Sequence, residues 1–537
     1  MPPFLALLLA ALPQAPAAPV ASYRGYPEAD ALRYALHLRL DPRERRLEGW
    51  VEARFRALEE LRVLKLDSVA GEGWERSFED LEGRPLSFTQ DGDRVLLDPG
   101  RTLAAGEVFA FRVRLEGRPP DGLYFFDTRY GEPCAFTDHF SVRARGWLPC
   151  EDDPSDRARF ALELEIPEGF DAVCSGRGRR LEAGEAWPED SPVPPAARRP
   201  VAEGWFGWVS RPEEPLPTYL LALAVAPFAR VEEGGDPRLV PHRIYRKDLP
   251  RARRGLVHHA EWLALLEETF GPYPYQKYCV VQVPTRWGGM ENAGNTFVME
   301  NLFESPRFGA SILAHELAHQ WFGDGVGYRS WKEVWLSEGF ASYFGPWLDA
   351  ATGGPPLARS LEQMRRSWAS APEAFRLPVR WDGYEKPDQV LNRNTYPKGA
   401  WILHMLRGEI GDEAFFGGLR SWFLANRGRS VDTDSLREAL EEASGRELGW
   451  FFEQWLDRPG CPVLRLEAGD ERVLLHQEQE GEPYRFRLRL RWTGAGGQAF
   501  DRVFEVDEAE EVLELEDPPV RSLQVDPEVE LLWIRAR

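Results

Sequence analysis

His315 and His319 bracket Glu316 in His315-Glu316-Leu317-Ala318-His319, and Glu338 follows His319 after eighteen intervening residues. Two imidazoles four positions apart lie one turn apart on one helical face, so both can point at a single ion. Glu316 sits about 100° round the helix from His315, placed to poise a water rather than to ligate. Glu338 offers a third ligand from a separate segment. Three protein ligands leave a tetrahedral zinc one open position, as a catalytic site requires. The pentapeptide alone also fits a surface helix with two unrelated histidines. With nine histidines in 537 residues, a chance match is expected in roughly one or two such chains per hundred.

Two further motifs bear on the same chemistry. Gly288-Gly289-Met290-Glu291-Asn292-Ala293-Gly294 lies upstream. Its glycine pair lets a backbone approach an extended ligand, an edge strand can pair with a peptide main chain, and Glu291 offers a carboxylate to a cation. A Gly-rich turn with a solvated Glu is the plainer reading. Thr395-Tyr396-Pro397-Lys398-Gly399-Ala400 lies downstream. A tyrosine just before a helix start can aim its hydroxyl at the metal from the side opposite Glu316, although it is more often a packed aromatic.

The elements that must position these groups are partly readable. Ala310 to Phe322 lacks Pro, has apolar residues at helical spacing and is followed by Gly323, which predicts a helix. Trp335 to Ala341 reads as a second helix, and Pro397 suits the first position of a helix running through Arg407. Tyr278 to Val283 is strand-like and ends at Pro284. Gly411 to Arg427 and Thr433 to Trp455 read as closing helices, stopping at Arg458-Pro459-Gly460. From Leu32 to about Val231, runs such as Phe160 to Ile166 alternate apolar with polar, predicting antiparallel sheets. Trp187 to Pro200, rich in Pro and charge, reads as a long exposed loop. Beyond Cys461 the alternation returns at Tyr484 to Trp492, Val503 to Val506 and Leu513 to Leu515, predicting a small β-sandwich.

Composition sets bounds. The formal charge of −21 argues against nucleic acid and anionic membranes as partners, and 43% hydrophobic residues with 20 Trp can fill sizeable cores. Five cysteines, Cys134, Cys150, Cys174, Cys279 and Cys461, give no disulfide framework. Free buried thiols are expected, with pairing of Cys134 and Cys150, or of either with Cys174, as the alternative. Phe4 to Leu12 is apolar and Ala15-Pro16-Ala17 resembles a cleavage site, so residues 1–18 are expected to be a signal peptide. That expectation makes the protein exported, periplasmic or extracellular in a bacterium. No segment is expected to span a membrane.

With Gly-Gly-Met-Glu-Asn, His-Glu-Leu-Ala-His-Gln-Trp-Phe-Gly, Trp-Leu-Ser-Glu-Gly-Phe-Ala and Tyr-Pro-Lys-Gly-Ala in this order, the chain resembles the aminopeptidase N and leukotriene A4 hydrolase family of zinc peptidases. Leu148 to Pro154 and Pro217 to Ala222 resemble segments of that family's N-terminal domain, so the likeness runs over roughly residues 25 to 462. The resemblance implies one Zn2+ per chain held by His315, His319 and Glu338. It implies Glu316 as general base, Tyr396 as oxyanion stabiliser and Glu291 as the group that binds a substrate's free α-amine. Gly288, Gly289, Met290 and Asn292 would line the substrate. It further implies a multidomain α+β chain: an N-terminal antiparallel β-domain over 19–235, a thermolysin-like, mostly helical zinc catalytic domain over 236–460 and a C-terminal β-sandwich over 461–537. The large C-terminal helical domain of many relatives is not expected, which suggests a more open cleft.

The expected activity is removal of N-terminal residues from peptides with a free N-terminus. The alternatives are a family member with an added or different zinc hydrolase activity such as epoxide opening, and a catalytically silent scaffold. The intact set His315, Glu316, His319, Glu338 and Tyr396 argues against the scaffold. Three departures from the family pattern stand out. Phe140 aligns approximately with the family's amine-holding glutamine, and Asp138 nearby reads equally as a substitute polar group or as part of a solvated turn. Gly289 replaces the usual alanine. Pro397 follows Tyr396 and should push it towards extended geometry.

Overall fold

The computed structural model describes residues 25–536; the signal peptide expected over 1–18 lies outside the described residues. The N-terminal third is β-rich, as the alternation predicts. Its main sheet has seven strands, in spatial order Gly178–Leu181, Trp205–Ser210, Arg159–Pro167, Ala29–Asp41, Arg46–Ala57, Val108–Gly117 and Trp74–Asp80. Leu36, Leu38 and Leu40 of one strand are fully buried, the period-2 consequence of the pleat. The expected antiparallel pairing is corrected at one place. Ala29–Asp41 and Arg159–Pro167 run parallel, with Leu36 opposite Leu162. Alternation gives a strand's faces and not its direction, and the long connection between these two allows the crossover.

A second sheet orders Asp171–Cys174, Leu223–Ala226, Pro133–Thr137 and Leu123–Asp127, and its third strand leads directly into Asp138. Trp187 to Pro200 is irregular but not wholly exposed, a second correction. Trp187, Ser191 and Val193 are buried; the Trp187 ring meets His37 edge-on at 4.6 Å, and the Ser191 hydroxyl donates to Glu163 at 2.5 Å. All five cysteines are free and buried.

A five-stranded mixed sheet then joins the β-rich part to the helices. Three of its strands matter for the site: β1 (Cys279–Gln282), β2 (Gly289–Met290) and β3 (Asn295–Val298). β1 and β3 are parallel, and β2 lies antiparallel to β3 at the sheet edge. The Gly pair is thus on an edge strand, as the sequence suggests.

Helix α1 (Pro306–His319) starts four residues before the predicted Ala310 and stops three before Phe322. Gly323, at φ 117°, turns the chain back, a conformation side-chain-bearing residues avoid. Helix α2 (Trp335–Ala351) is buried along most of its length. It approaches α1 so closely that a Cβ on Gly345 would lie 2.9 Å from the His315 Cα. Helix α3 (Gly399–Ile410) crosses α2 at a second glycine contact, where a Cβ on Gly339 would sit 3.0 Å from the Gly399 Cα.

Tyr396 does not precede this helix in extended form. It lies in a π-helical turn, Asn394–Lys398, continuous with α3. Pro397 has no N–H to donate, and the wide turn lets the Lys398 amide reach the Arg393 carbonyl at 3.2 Å. The predicted helix over Thr433 to Trp455 is also two pieces: Thr433–Ser444 ends at Gly445 in left-handed geometry, and a short helix resumes at Gly449–Phe452.

The last part forms two sheets. One orders Glu510–Glu514, Arg472–Gln477, Val463–Ala468 and Ile534–Arg535; the other orders Ala499–Val506, Phe486–Thr493 and Ser522–Val525. Leu488, Leu490 and Trp492 are buried. This part grips α3: His404 Nε2 reaches the Val529 carbonyl at 3.0 Å, and Arg487 donates to the Gly408 carbonyl at 3.0 Å. The whole is a multidomain α+β chain with an N-terminal β-rich domain. Among the described residues, no helix is long and apolar enough to cross a membrane.

Candidate active site

His315 and His319 project from the last turn and a half of α1, and Glu338 from the first turn of α2. Their ligating atoms converge: His315 Nε2 to His319 Nε2 is 3.1 Å, His319 Nε2 to Glu338 Oε2 is 3.3 Å, and His315 Nε2 to Glu338 Oε2 is 3.4 Å. A tetrahedral zinc with bonds of 2.0–2.1 Å separates its ligand atoms by about 3.3 Å, so the triangle fits that ion.

The tautomers agree. His319 Nδ1 faces the Phe322 carbonyl at 3.3 Å and the Ser337 hydroxyl at 2.9 Å. With the proton on Nδ1, the Nε2 lone pair points into the triangle. Glu316 Oε2 and Glu338 Oε2 are buried with no hydrogen-bond partner, costly for carboxylates unless a cation serves them. Burial pushes Glu316 well above the ordinary carboxylate range. Burial also opposes charge on Glu338, but His319 and His315 outweigh it and hold this carboxyl below its usual value.

Glu233, His242 and His259 form another group of possible ligands, but its geometry is that of hydrogen bonds. His242 Nε2 is 2.9 Å and His259 Nδ1 2.7 Å from Glu233 Oε2, while His242 Nδ1 accepts the Val280 amide at 2.9 Å. A neutral His242 must then keep its proton on Nε2, which leaves no lone pair there for a metal.

Glu291 lies one residue beyond β2 and is buried. Its carboxylate, that of Glu316 and a His319 nitrogen all lie within 4.8 Å of one another. Burial pushes the Glu291 carboxyl up to about 7, with Glu338 and Asp138 adding repulsion and His319 opposing them. The loop carrying Glu291 is held by Gln320, the residue after His319. Gln320 Nε2 donates to the Glu291 carbonyl at 3.0 Å, and its Oε1 accepts the Gly294 amide at 2.8 Å. Gln320 was readable only as part of the His-Glu-Leu-Ala-His-Gln run, and nothing in spacing reveals its reach across to another strand. Ser337 escaped the sequence reading for the same reason.

Met290 and Asn292 are buried, and Gly288 and Gly289 half-buried. A Cβ on Gly289 would fall 2.2 Å from Glu316 Oε1, so the Glu316 carboxylate occupies the space that an alanine here would fill. Tyr396 donates its hydroxyl to Glu338 Oε1 at 2.9 Å, and its ring stacks near His315 at 6.3 Å between centroids. The structure therefore brings His315, Glu316, His319, Glu338, Glu291, Tyr396 and Gly289 together, and not Phe140. Phe140 turns into the core, edge-on to Trp331 at 5.3 Å and to Tyr219 at 5.7 Å. Asp138 is buried beside the site, its Oδ1 accepting the Trp287 indole N–H at 3.1 Å.

Comparison with known proteins agrees with this geometry. The peptidase M1 N-terminal domain matches residues 30–183, and the peptidase family M1 domain matches residues 255–455. Mouse aminopeptidase B is 29% identical over 364 residues, 63% of this chain and 52% of its own. Aminopeptidase N of Streptomyces lividans is 30% identical over 406 residues, 68% of this chain and 45% of its own. The chain thus spans about half the length of the curated relatives it matches. The solved M1 zinc metallopeptidase of Deinococcus radiodurans is 26% identical with a TM-score of 0.63, covering 81% of this chain and 95% of that one. A mutant of the Deinococcus enzyme bound to a Tyr-Ser-Ala substrate superposes with a TM-score of 0.64 at 26% identity, over 80% of this chain and 95% of that one. The chain belongs to peptidase family M1, and its cofactor is zinc.

Proposed function

We propose that the protein is a zinc aminopeptidase that hydrolyses the N-terminal bond of peptides. The observation that carries this reading is the placement of Glu291 within 4.8 Å of both Glu316 and His319. A buried carboxylate that close to Glu316 and His319 suits the ammonium of the same residue whose carbonyl is attacked. Acylated or internal segments would leave it unpaired.

His315, His319 and Glu338 would hold the zinc, which when bound supplies a Lewis acid and a water of lowered pKa. Glu316 accepts a proton from the attacking water and returns it to the leaving amine. The Tyr396 hydroxyl donates to the developing oxyanion. The free edge of β2 offers backbone groups to the substrate main chain, with Gly288, Gly289, Met290 and Asn292 beside it. The finer architecture proposed is a β-domain over 19–235, a thermolysin-like catalytic domain over 236–460 and a β-sandwich over 461–537. An exported, periplasmic or extracellular location is proposed from residues 1–18 of the sequence alone.

A panel of aminoacyl chromogenic substrates, run with and without a chelator, tests the activity. Peptides with free and acetylated N-termini test the role of Glu291. Equal cleavage of blocked and free peptides would make the enzyme an endopeptidase and reject the assignment.

A further inference from the structure

Asp138 stands where a polar contact to the substrate amine would be sought, yet its oxygens face the protein. Oδ1 accepts the Trp287 indole N–H at 3.1 Å. Oδ2 lies 3.7 Å from Arg286 Nε and 4.0 Å from an Arg143 nitrogen. Arg286 also stacks on the Trp287 ring at 4.3 Å and faces Asp388 Oδ2 at 3.7 Å. The Arg286-Trp287 arm is therefore tied to the β-rich part through this buried carboxylate and through Arg286, which also donates to the Phe140 carbonyl at 3.5 Å. The next residues are Gly288 and then β2, the edge strand next to Glu316.

The segment bearing Asp138 is itself fixed. The Asp138 amide donates to the Gly122 carbonyl at 2.9 Å, and the adjacent His139 is held between the Thr218 carbonyl at 3.1 Å and the Trp147 indole at 2.8 Å. Without Asp138, the Trp287 N–H would lose its acceptor, the Arg286 contact to the Phe140 carbonyl would be left to tie the arm to the β-rich part, and β2 has no side chain at Gly288 or Gly289 to anchor it.

We propose that Asp138 is a positioning residue: acting through Trp287, it holds the β2 edge in register for the substrate main chain. It does not take up the amine itself. This inference rests on the aminopeptidase reading, and the two fail separately. Wild type that cleaves no free-amine peptide rejects that reading, whereas the present inference is tested on variants of an active enzyme.

Edge-strand contacts are made in the ground and transition states alike, so their loss raises KM and spares kcat. Asp138→Ala and Trp287→Phe should each raise KM for a tripeptide about tenfold with kcat within about threefold. Asp138→Asn keeps an oxygen acceptor and should restore KM to within about twofold of wild type. The double variant Asp138→Ala/Trp287→Phe should be no worse than either single one, because both remove the same contact. Zinc content and thermal midpoint, measured alongside, identify any misfolded variant, and Trp287→Phe then carries the test. Additive losses would overturn the inference, as would a fall in kcat alone. So would Asp138→Asn as impaired as Asp138→Ala, which would mean that the charge acts on the amine directly.

Discussion

The Tyr396 hydroxyl donates to Glu338 Oε1 at 2.9 Å, so the proposed oxyanion donor rests on a proposed zinc ligand. The π-helical turn that carries Tyr396 packs against α2, which carries Glu338. To serve as the proposed oxyanion donor, the hydroxyl would have to leave this carboxylate for the reacting oxygen. Tyr396→Phe should lower kcat by about 10²–10³-fold while metal content stays at one per chain. A near-wild-type rate in steady-state assays would remove Tyr396 from the chemistry.

Glu316 contributes no ligand atom to the triangle of His315, His319 and Glu338. Glu316→Gln should therefore retain zinc, measured by atomic absorption, and lose turnover by at least about 10²-fold. Substantial residual activity would assign the proton transfer elsewhere.

Gly289→Ala tests the space beside Glu316. The added Cβ would start 2.2 Å from Glu316 Oε1 and 2.6 Å from its Cγ, so the side chain must swing away. The expected outcome is a fall in kcat of about tenfold with unchanged metal content, since the displaced group is the proposed base and not a proposed ligand. An unchanged rate would show that Glu316 works from another rotamer.

Gln320→Ala would release the Glu291 carbonyl and the Gly294 amide inside the protein. Each buried backbone group left unpaired costs about 1–3 kcal/mol, and the loop bearing Glu291 would loosen. KM for free-amine peptides should rise, and the discrimination against acetylated peptides should shrink. Intact discrimination would mean that other contacts suffice to place Glu291.

Glu233 predicts an acid limb of stability. Burial works against its charge, but His259 and His242 outweigh burial and hold its carboxyl well below the usual range. A carboxylate depressed in the folded state stabilises above its unfolded pKa of about 4.3 and loses that contribution as pH falls below it. Thermal midpoints should therefore fall progressively as pH drops from about 5 towards the depressed folded-state value of this carboxyl. Glu233→Gln should lower the midpoint at pH 7 and flatten that drop. Parallel curves for the two proteins would dissociate the cluster from acid sensitivity.

The residues proposed to touch metal or substrate were legible because their chemistry forces both type and spacing. Two histidines one helical turn apart, a glutamate between them and glycines on an edge strand leave little freedom. What holds them was not legible. Gln320, Ser337 and Trp287 act through contacts across elements, which no local pattern encodes. The helix limits at Pro306 and His319 differ from the predicted ones because apolar periodicity marks a buried face and not where the hydrogen-bond ladder stops. Pro397 predicted an extended Tyr396; tertiary packing of Gly399 on Gly339 instead draws the segment into a wide helical turn. Parallel pairing of Ala29–Asp41 with Arg159–Pro167 was invisible for want of any directional signal.

The grip of His404 on Val529 and of Arg487 on Gly408 has a consequence for any shortened form of this chain. None of the residues proposed for bond cleavage lies downstream of Cys461, yet the rod bearing Tyr396 at its head is braced there along its outer side. Deleting the terminal sheets would strip that brace and bare apolar flank. Such a fragment should lose the proposed turnover even though each proposed catalytic side chain survives in it.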